Sequence, residues 1–82
     1  MVNDIPQHIY VQIADDITEK IANGTYPPGR RLPSLAELAA AYGHHRLTIR
    51  RAIDELRARE LIYTVHGMGN YVLPLEPGPS RK

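Results

Sequence analysis

The sequence predicts a small, mainly α (α+β) domain: three helices followed by a C-terminal β-hairpin. Three observations predict it. Apolar residues recur at helical spacing in three separate stretches. A run rich in β-branched and aromatic residues follows them. Paired glycines interrupt that run as a hairpin turn requires. Eighty-two residues allow one domain with a small core, since a chain of this size buries only about 60% of the surface its unfolded form exposes.

Residues 1–7 read as a flexible lead-in to a first helix, from about Gln7 to Ala22. Ile9, Ile13, Ile17 and Ile21 repeat every four residues, and Tyr10 and Ala14 widen the stripe, so this face is expected to pack on the later helices, with a dimer seam as the alternative. Asp15, Asp16 and Glu19 take its outer face, and Asn23-Gly24 stops it. Thr25 to Pro33 holds three prolines and a glycine, which preclude a helix. Within it Arg30-Arg31-Leu32 has room for a short strand before Pro33. The second helix opens at Ser34. Ser34 and Glu37 have the spacing of a capping box, which pairs two backbone N–H groups at a helix start. Leu35, Leu38, Ala39 and Tyr42 follow, and Gly43 ends the helix where the backbone needs positive φ.

A third pattern, about 46–59, carries Ile49, Ala52, Ile53 and Leu56. At about 100° per residue these share one face. Leu47, Arg50, Arg51 and Asp54 lie opposite, with Arg46 and Arg57 on the flank. Leu61 to Val65 reads as a strand, His66-Gly67-Met68-Gly69 as the turn and Asn70 to Leu73 as the return. Residues 74–82 are proline-rich and read as a disordered tail or linker. The order over residues 8–73 is that of a winged helix-turn-helix, in which a helix, a short turn and a basic second helix suit the DNA major groove.

Charge supports this more by placement than by amount. The net charge is only +1, but residues 1–24 hold four acids and one lysine, whereas residues 44–59 hold five arginines and two acids. A basic helix on an otherwise balanced chain is an electrostatic footprint for nucleic acid. There is no cysteine, which removes disulfides, thiolate metal sites and cysteine nucleophiles. No apolar run approaches a membrane span. Catalysis finds no support: Ser34 is used as a cap, Ser80 lies in the tail, and no pair of carboxylates converges. His44 and His45 point apart, so with His66 they make a poor metal site. A cofactor is not expected. A protein-interaction module is the rival reading, but the face of Arg46, Arg50 and Arg51 lacks the aromatic anchors of a protein hot spot.

Four segments together resemble the DNA-binding domain of the GntR family of bacterial transcriptional regulators. They are IYVQIADDITEKIANG, YPPGRRLPSLAELAAAYG, HHRLTIRRAIDEL and LIYTVHGMGNYV. The P-G-x-x-L-P-S core is the most specific piece. The resemblance implies a recognition helix that meets bases and phosphates through His45, Arg46, Leu47, Thr48 and Arg50. It implies a wing tip at His66 and Gly67 in the flanking minor groove, and a phosphate contact at Arg31 or Arg30. With Ser34 at the second helix start and Arg51 further along the third, the candidate DNA-binding set is complete. The family also implies a repressor in the bacterial cytoplasm and nucleoid, with double-stranded DNA bearing a palindromic operator as its partner.

Four departures from the family pattern carry expectations. His45 replaces a capping serine or threonine, so the third helix starts less firmly. Leu47 replaces a polar residue and is expected on a thymine methyl. Glu60 replaces a linking glycine, so that turn is expected to be made differently. Met68 replaces a basic residue and weakens the wing's electrostatic grip. An effector-binding, dimerising C-terminal domain is also absent from this sequence, which reads either as an excised domain or as a small regulator. No small-molecule effector site is expected within it. The homodimer is therefore expected to be weak, forming on DNA from a monomer in dilute solution. About five phosphates neutralised per protomer would make binding steeply salt-dependent. Protonation of His44, His45 or His66 would tighten it below about pH 6.5 if any meets phosphate.

Overall fold

The computed structural model describes residues 8–74 and shows three helices followed by a two-stranded antiparallel hairpin. Residues 1–7 and 75–82, read above as lead-in and tail, lie outside the described residues. Helix α1 spans His8–Ala22, α2 Leu35–Tyr42 and α3 Arg46–Ala58; strand β1 spans Ile62–Val65 and β2 Gly69–Val72. No helix among the described residues is long and apolar enough to cross a membrane.

The isoleucine stripe makes the core. Ile13, Ala14, Ile17 and Ile21 of α1 are buried against Ile49, Ala52, Ile53 and Leu56 of α3, with Leu38 of α2. Leu32, from the proline-rich segment, and Ile62 and Val72, from the hairpin, close the same cluster. No polar or charged residue among the described ones is fully buried, so the core encloses no charge. Asp15 and Glu19 are exposed as expected, but Asp16 departs from expectation. Asp16 lies on the flank facing α2, where it accepts a hydrogen bond from the Tyr42 hydroxyl. It also pairs with Lys20 at 3.3 Å.

Capping explains the ends of α2. The Glu37 amide donates to Ser34 Oγ at 3.1 Å and the Ser34 amide donates to Glu37 Oε1 at 2.8 Å. Gly43 closes the helix at φ 70°, in the left-handed region that glycine enters without steric cost. Helix α3 is less well served. His45 occupies its N-cap in extended conformation, but its side chain makes no capping bond.

Its far end corrects an expectation. The turn after α3 is built as the glycine pattern would build it, with Glu60 itself at φ 62°. The Glu60 amide bonds the Arg57 carbonyl at 2.9 Å and the Leu61 amide the Leu56 carbonyl at 3.1 Å. These are the paired bonds of a Schellman motif. Burial of Leu56 and Ile62 on either side holds the chain to this path despite the missing glycine.

The hairpin pairs Ile62 with Val72, Tyr63 with Tyr71, Thr64 with Asn70 and Val65 with Gly69. Gly69 therefore belongs to β2, and the connection is His66-Gly67-Met68, one residue shorter than expected. The anticipated third strand reduces to a single bridge, Arg31 with Tyr71. It is supported by Leu32 N–H to the Asn70 carbonyl at 2.8 Å and Val72 N–H to the Arg30 carbonyl at 3.0 Å. Pro33 limits its length, as proline cannot donate to a ladder.

Candidate nucleic-acid interface

The burial of Ile49, Ala52, Ile53 and Leu56 fixes the rotation of α3 and so dictates what it shows to solvent. Arg46, Leu47, Arg50 and Arg51 are exposed and Thr48 is half-buried. Leu47 is 67% exposed, the most open of the large apolar side chains among the described residues. Arg46 and Arg50 make no ion pair or side-chain hydrogen bond within the described residues, so both guanidinium forks are free for planar acceptors. His45 lends the helix start no side-chain cap; the Thr48 amide turns back to the His45 carbonyl at 3.0 Å, which leaves the Arg46 and Leu47 amides available to an anion.

The other basic residues sort differently. Arg59 donates to Glu55 at 3.0 Å, to Asp15 at 2.9 Å and to Thr18 at 3.1 Å, tying the end of α3 to α1. Arg57 pairs with Asp54. The guanidinium of Arg51 lies 5.7 Å from the ring centroid of Tyr10, held against α1 by a cation–π contact. Of the candidate residues on α3, Arg51 is thus the one drawn aside from the Arg46, Leu47, Arg50 surface.

The wing and the start of α2 share a groove lined by Arg31, Pro33, Ser34, Leu35, Met68 and Gly69, among others. Arg31 crosses it. Its Nη1 donates to the Met68 carbonyl at 3.1 Å, and its side chain lies over Gly69, where an added Cβ would meet Arg31 Cδ at 3.0 Å. That bond is to a neutral acceptor, so Arg31 keeps its charge and most of its donors. Arg30 is exposed and contributes only backbone bonds. Ser34 uses its oxygen as the cap acceptor, leaving its proton to donate outward. His66 and Gly67 stand exposed at the tip, with Gly67 at φ 79° in the position that takes positive φ in a type II turn. On the hairpin's outward side Tyr63 and Tyr71 stack at 5.7 Å with rings 23° apart.

The structure thus brings Arg31, Ser34 and the wing turn around one groove, and places Arg46, Leu47 and Arg50 together on α3. Sequence reasoning missed the polar chain linking α3 to the wing. Arg57 Nη1 donates to Thr64 Oγ1 at 2.7 Å, and that hydroxyl donates to Asn70 Oδ1 at 2.6 Å. No local pattern marks it, since its members sit on three elements. Among the described residues no group of three His, Cys, Asp or Glu converges as a metal shell.

A model of the bacterial regulatory proteins of the gntR family matches residues 9–72. The chain belongs to the GntR family. The histidine utilization repressor of Pseudomonas putida is 39% identical to it over 67 residues, which cover 82% of this chain and 27% of the relative. The GntR chain spans about a quarter of the length of the curated relatives it matches first. A GntR family transcriptional regulator from Listeria monocytogenes superposes with TM-score 0.78 at 41% identity, over 89% of this chain and 62% of that one. The AraR(DBD) structure in complex with operator ORX1 gives TM-score 0.75 at 35% identity, over 83% of this chain and 80% of that one. The three helices and hairpin of this GntR chain are therefore a winged helix-turn-helix of the kind found in those regulators.

Proposed function

We propose that this domain is the DNA-reading part of a GntR-type transcriptional repressor, with α3 in the major groove and the wing on the flanking minor groove. The observation that carries this is the division of its cations. Among the described residues Arg30, Arg31, Arg46 and Arg50 have no carboxylate partner, nor has Arg51, which lies on Tyr10, while Arg57, Arg59 and Lys20 are each paired with one. The unpaired set follows the α3 start and the segment beside the wing. The relatives named as repressors, and the AraR domain solved with its operator, support the same reading.

In this reading Arg46 and Arg50 grip guanine O6 and N7 or phosphate. Each good bidentate base pair is worth about 1–3 kcal/mol of discrimination. Leu47 meets a thymine methyl, which explains an apolar side chain held 67% exposed. The Thr48 and His45 side chains and the Arg46 and Leu47 amides meet phosphate, as do Arg30, Arg31 and Ser34; His66 and Gly67 approach the minor groove. Arg51 adds field rather than sequence reading. The domain works without a catalytic step, in the bacterial cytoplasm. It is a monomer in dilute solution and pairs on a palindromic operator.

Selection of bound duplexes from a random pool tests this, with wild type beside Arg50→Ala and Leu47→Ala. The expected result is an enriched two-fold motif that Arg50→Ala loses and whose thymine preference Leu47→Ala relaxes. Retention of no duplex at all would overturn the reading in favour of a protein partner. A stable dimer in sedimentation without DNA would overturn the assembly proposed here.

A further inference from the structure

A two-stranded hairpin is marginal on its own; the core holds this one at its base, and the 30–32 segment holds its β2 side through the Arg31–Tyr71 bridge and the Arg31 bond to the Met68 carbonyl, but neither of these ties the wing to α3. Ile62 and Val72 are its buried residues; Thr64, Val65, His66, Gly67 and Met68 are all exposed. Its outer half therefore needs a direct tie to keep one direction relative to α3. The chain from Asp54 through Arg57 and Thr64 to Asn70 supplies it. Arg57 spends one guanidinium nitrogen on Asp54, within its own helix, and another on Thr64, on the wing. Thr64 and Asn70 are directly opposite one another in the ladder, so a single hydroxyl joins the arginine to both strands. The donor order is consistent throughout: Arg57 can only donate, Thr64 accepts from it and donates onward, and Asn70 accepts.

We propose that Arg57 is a positioning residue, a strut that sets the angle between the recognition helix and the wing rather than a contact to phosphate. This rests on the DNA-reading function proposed above. Asp54 pairs with it, which offsets its charge and lowers its attraction for a polyanion. Its reach to Thr64 lies on the side of the hairpin that faces α3, the side that also carries Ile62 and Val72. Losing the strut leaves α3 intact and lets the wing swing, so the two reading elements lose their fixed span.

The test uses Arg57→Ala and Thr64→Val, the second of which keeps every charge. Without DNA, both are expected to speed amide exchange at Leu32, whose N–H bonds the Asn70 carbonyl of the wing at 2.8 Å, by at least about tenfold, the loss of one charge-assisted hydrogen bond. Exchange at Ile49 and Ile53 should stay unchanged. Unchanged exchange at Leu32 in both variants would overturn the strut whatever the domain binds. On the duplex that wild type enriches from a random pool, Thr64→Val should weaken binding with the salt dependence preserved, and Arg57→Ala should weaken it at least as much, since it also leaves the Asp54 carboxylate unpaired. A slope reduced by about 0.9 in Arg57→Ala alone, with Thr64→Val binding like wild type, would make Arg57 a phosphate contact instead. If wild type enriches no duplex, the DNA reading fails, and the exchange result still decides the strut.

Discussion

At the scale of single residues, two side chains stand where their neighbours would suit another residue better. Glu60 holds φ 62°, a conformation that costs an L-residue roughly 1–2 kcal/mol and glycine only its extra chain entropy. Glu60→Gly is expected to raise stability by about 0.5–1 kcal/mol, read as a higher urea midpoint with unchanged slope. A lowered midpoint would show that the Glu60 side chain contributes more than its backbone costs. His45 makes no capping bond, and serine there has an oxygen placed to accept the Thr48 amide. His45→Ser should add about 1 kcal/mol by the same measurement. The weak cap was legible in the sequence because it depends on the chemistry of one side chain. The Glu60 turn was not, because tertiary burial of Leu56 and Ile62 overrides the local preference for glycine.

At the scale of elements, the wing turn offers a paired comparison. A Cβ at Gly67 would meet nothing within 4 Å, whereas one at Gly69 would strike Arg31 Cδ at 3.0 Å, and both backbones have positive φ. Gly67→Ala therefore carries only the backbone cost, about 1 kcal/mol or somewhat more. Gly69→Ala must also displace Arg31 from the Met68 carbonyl. The expectation is a distinctly larger loss for Gly69→Ala, with faster amide exchange through β2; equal losses would mean that Arg31 moves aside freely. Periodicity and turn chemistry made the helices and hairpin legible in the sequence to within a residue or two. The clasp of Arg31 on Met68 was hidden, since 37 residues separate its partners. The single bridge at Arg31 was half visible, because Pro33 advertised the end of that strand.

At the scale of the whole molecule, pairing between helices makes stability depend on pH. The Tyr42 hydroxyl beside Asp16 holds that carboxyl below its ordinary value; burial opposes this and Lys20 assists. Burial, then Asp16, pushes the Tyr42 phenol up to about 12. A depressed acid contributes stability above its unfolded value and loses it as pH falls through the folded one. A raised phenol contributes below about 10 and loses it as pH climbs toward 12. The stability difference between wild type and Tyr42→Phe should thus be level from about pH 5 to 9 and shrink on both sides. A difference that stays flat at the extremes would remove Asp16–Tyr42 as the cause. The excess of acid at one end and arginine at the other was legible in the sequence. Which arginines remain unpaired was not, because Asp15 and Arg59 meet only in the folded state. With Arg57 and Arg59 neutralised, binding should involve about four phosphates per protomer, a log–log salt slope near −3.6. A slope of −5 or steeper would return the paired arginines to the interface. The same partition bears on how the molecule meets its target. Its outward field is positive mainly around the start of α3 and the 30–31 segment, while Glu19 leaves the back of α1 negative or neutral. A polyanion arriving from behind feels little pull, and one arriving in front exerts a torque that turns the domain before touching it. Dissolved salt should then slow the encounter itself, so that the arginines locked in pairs govern how few collisions are wasted.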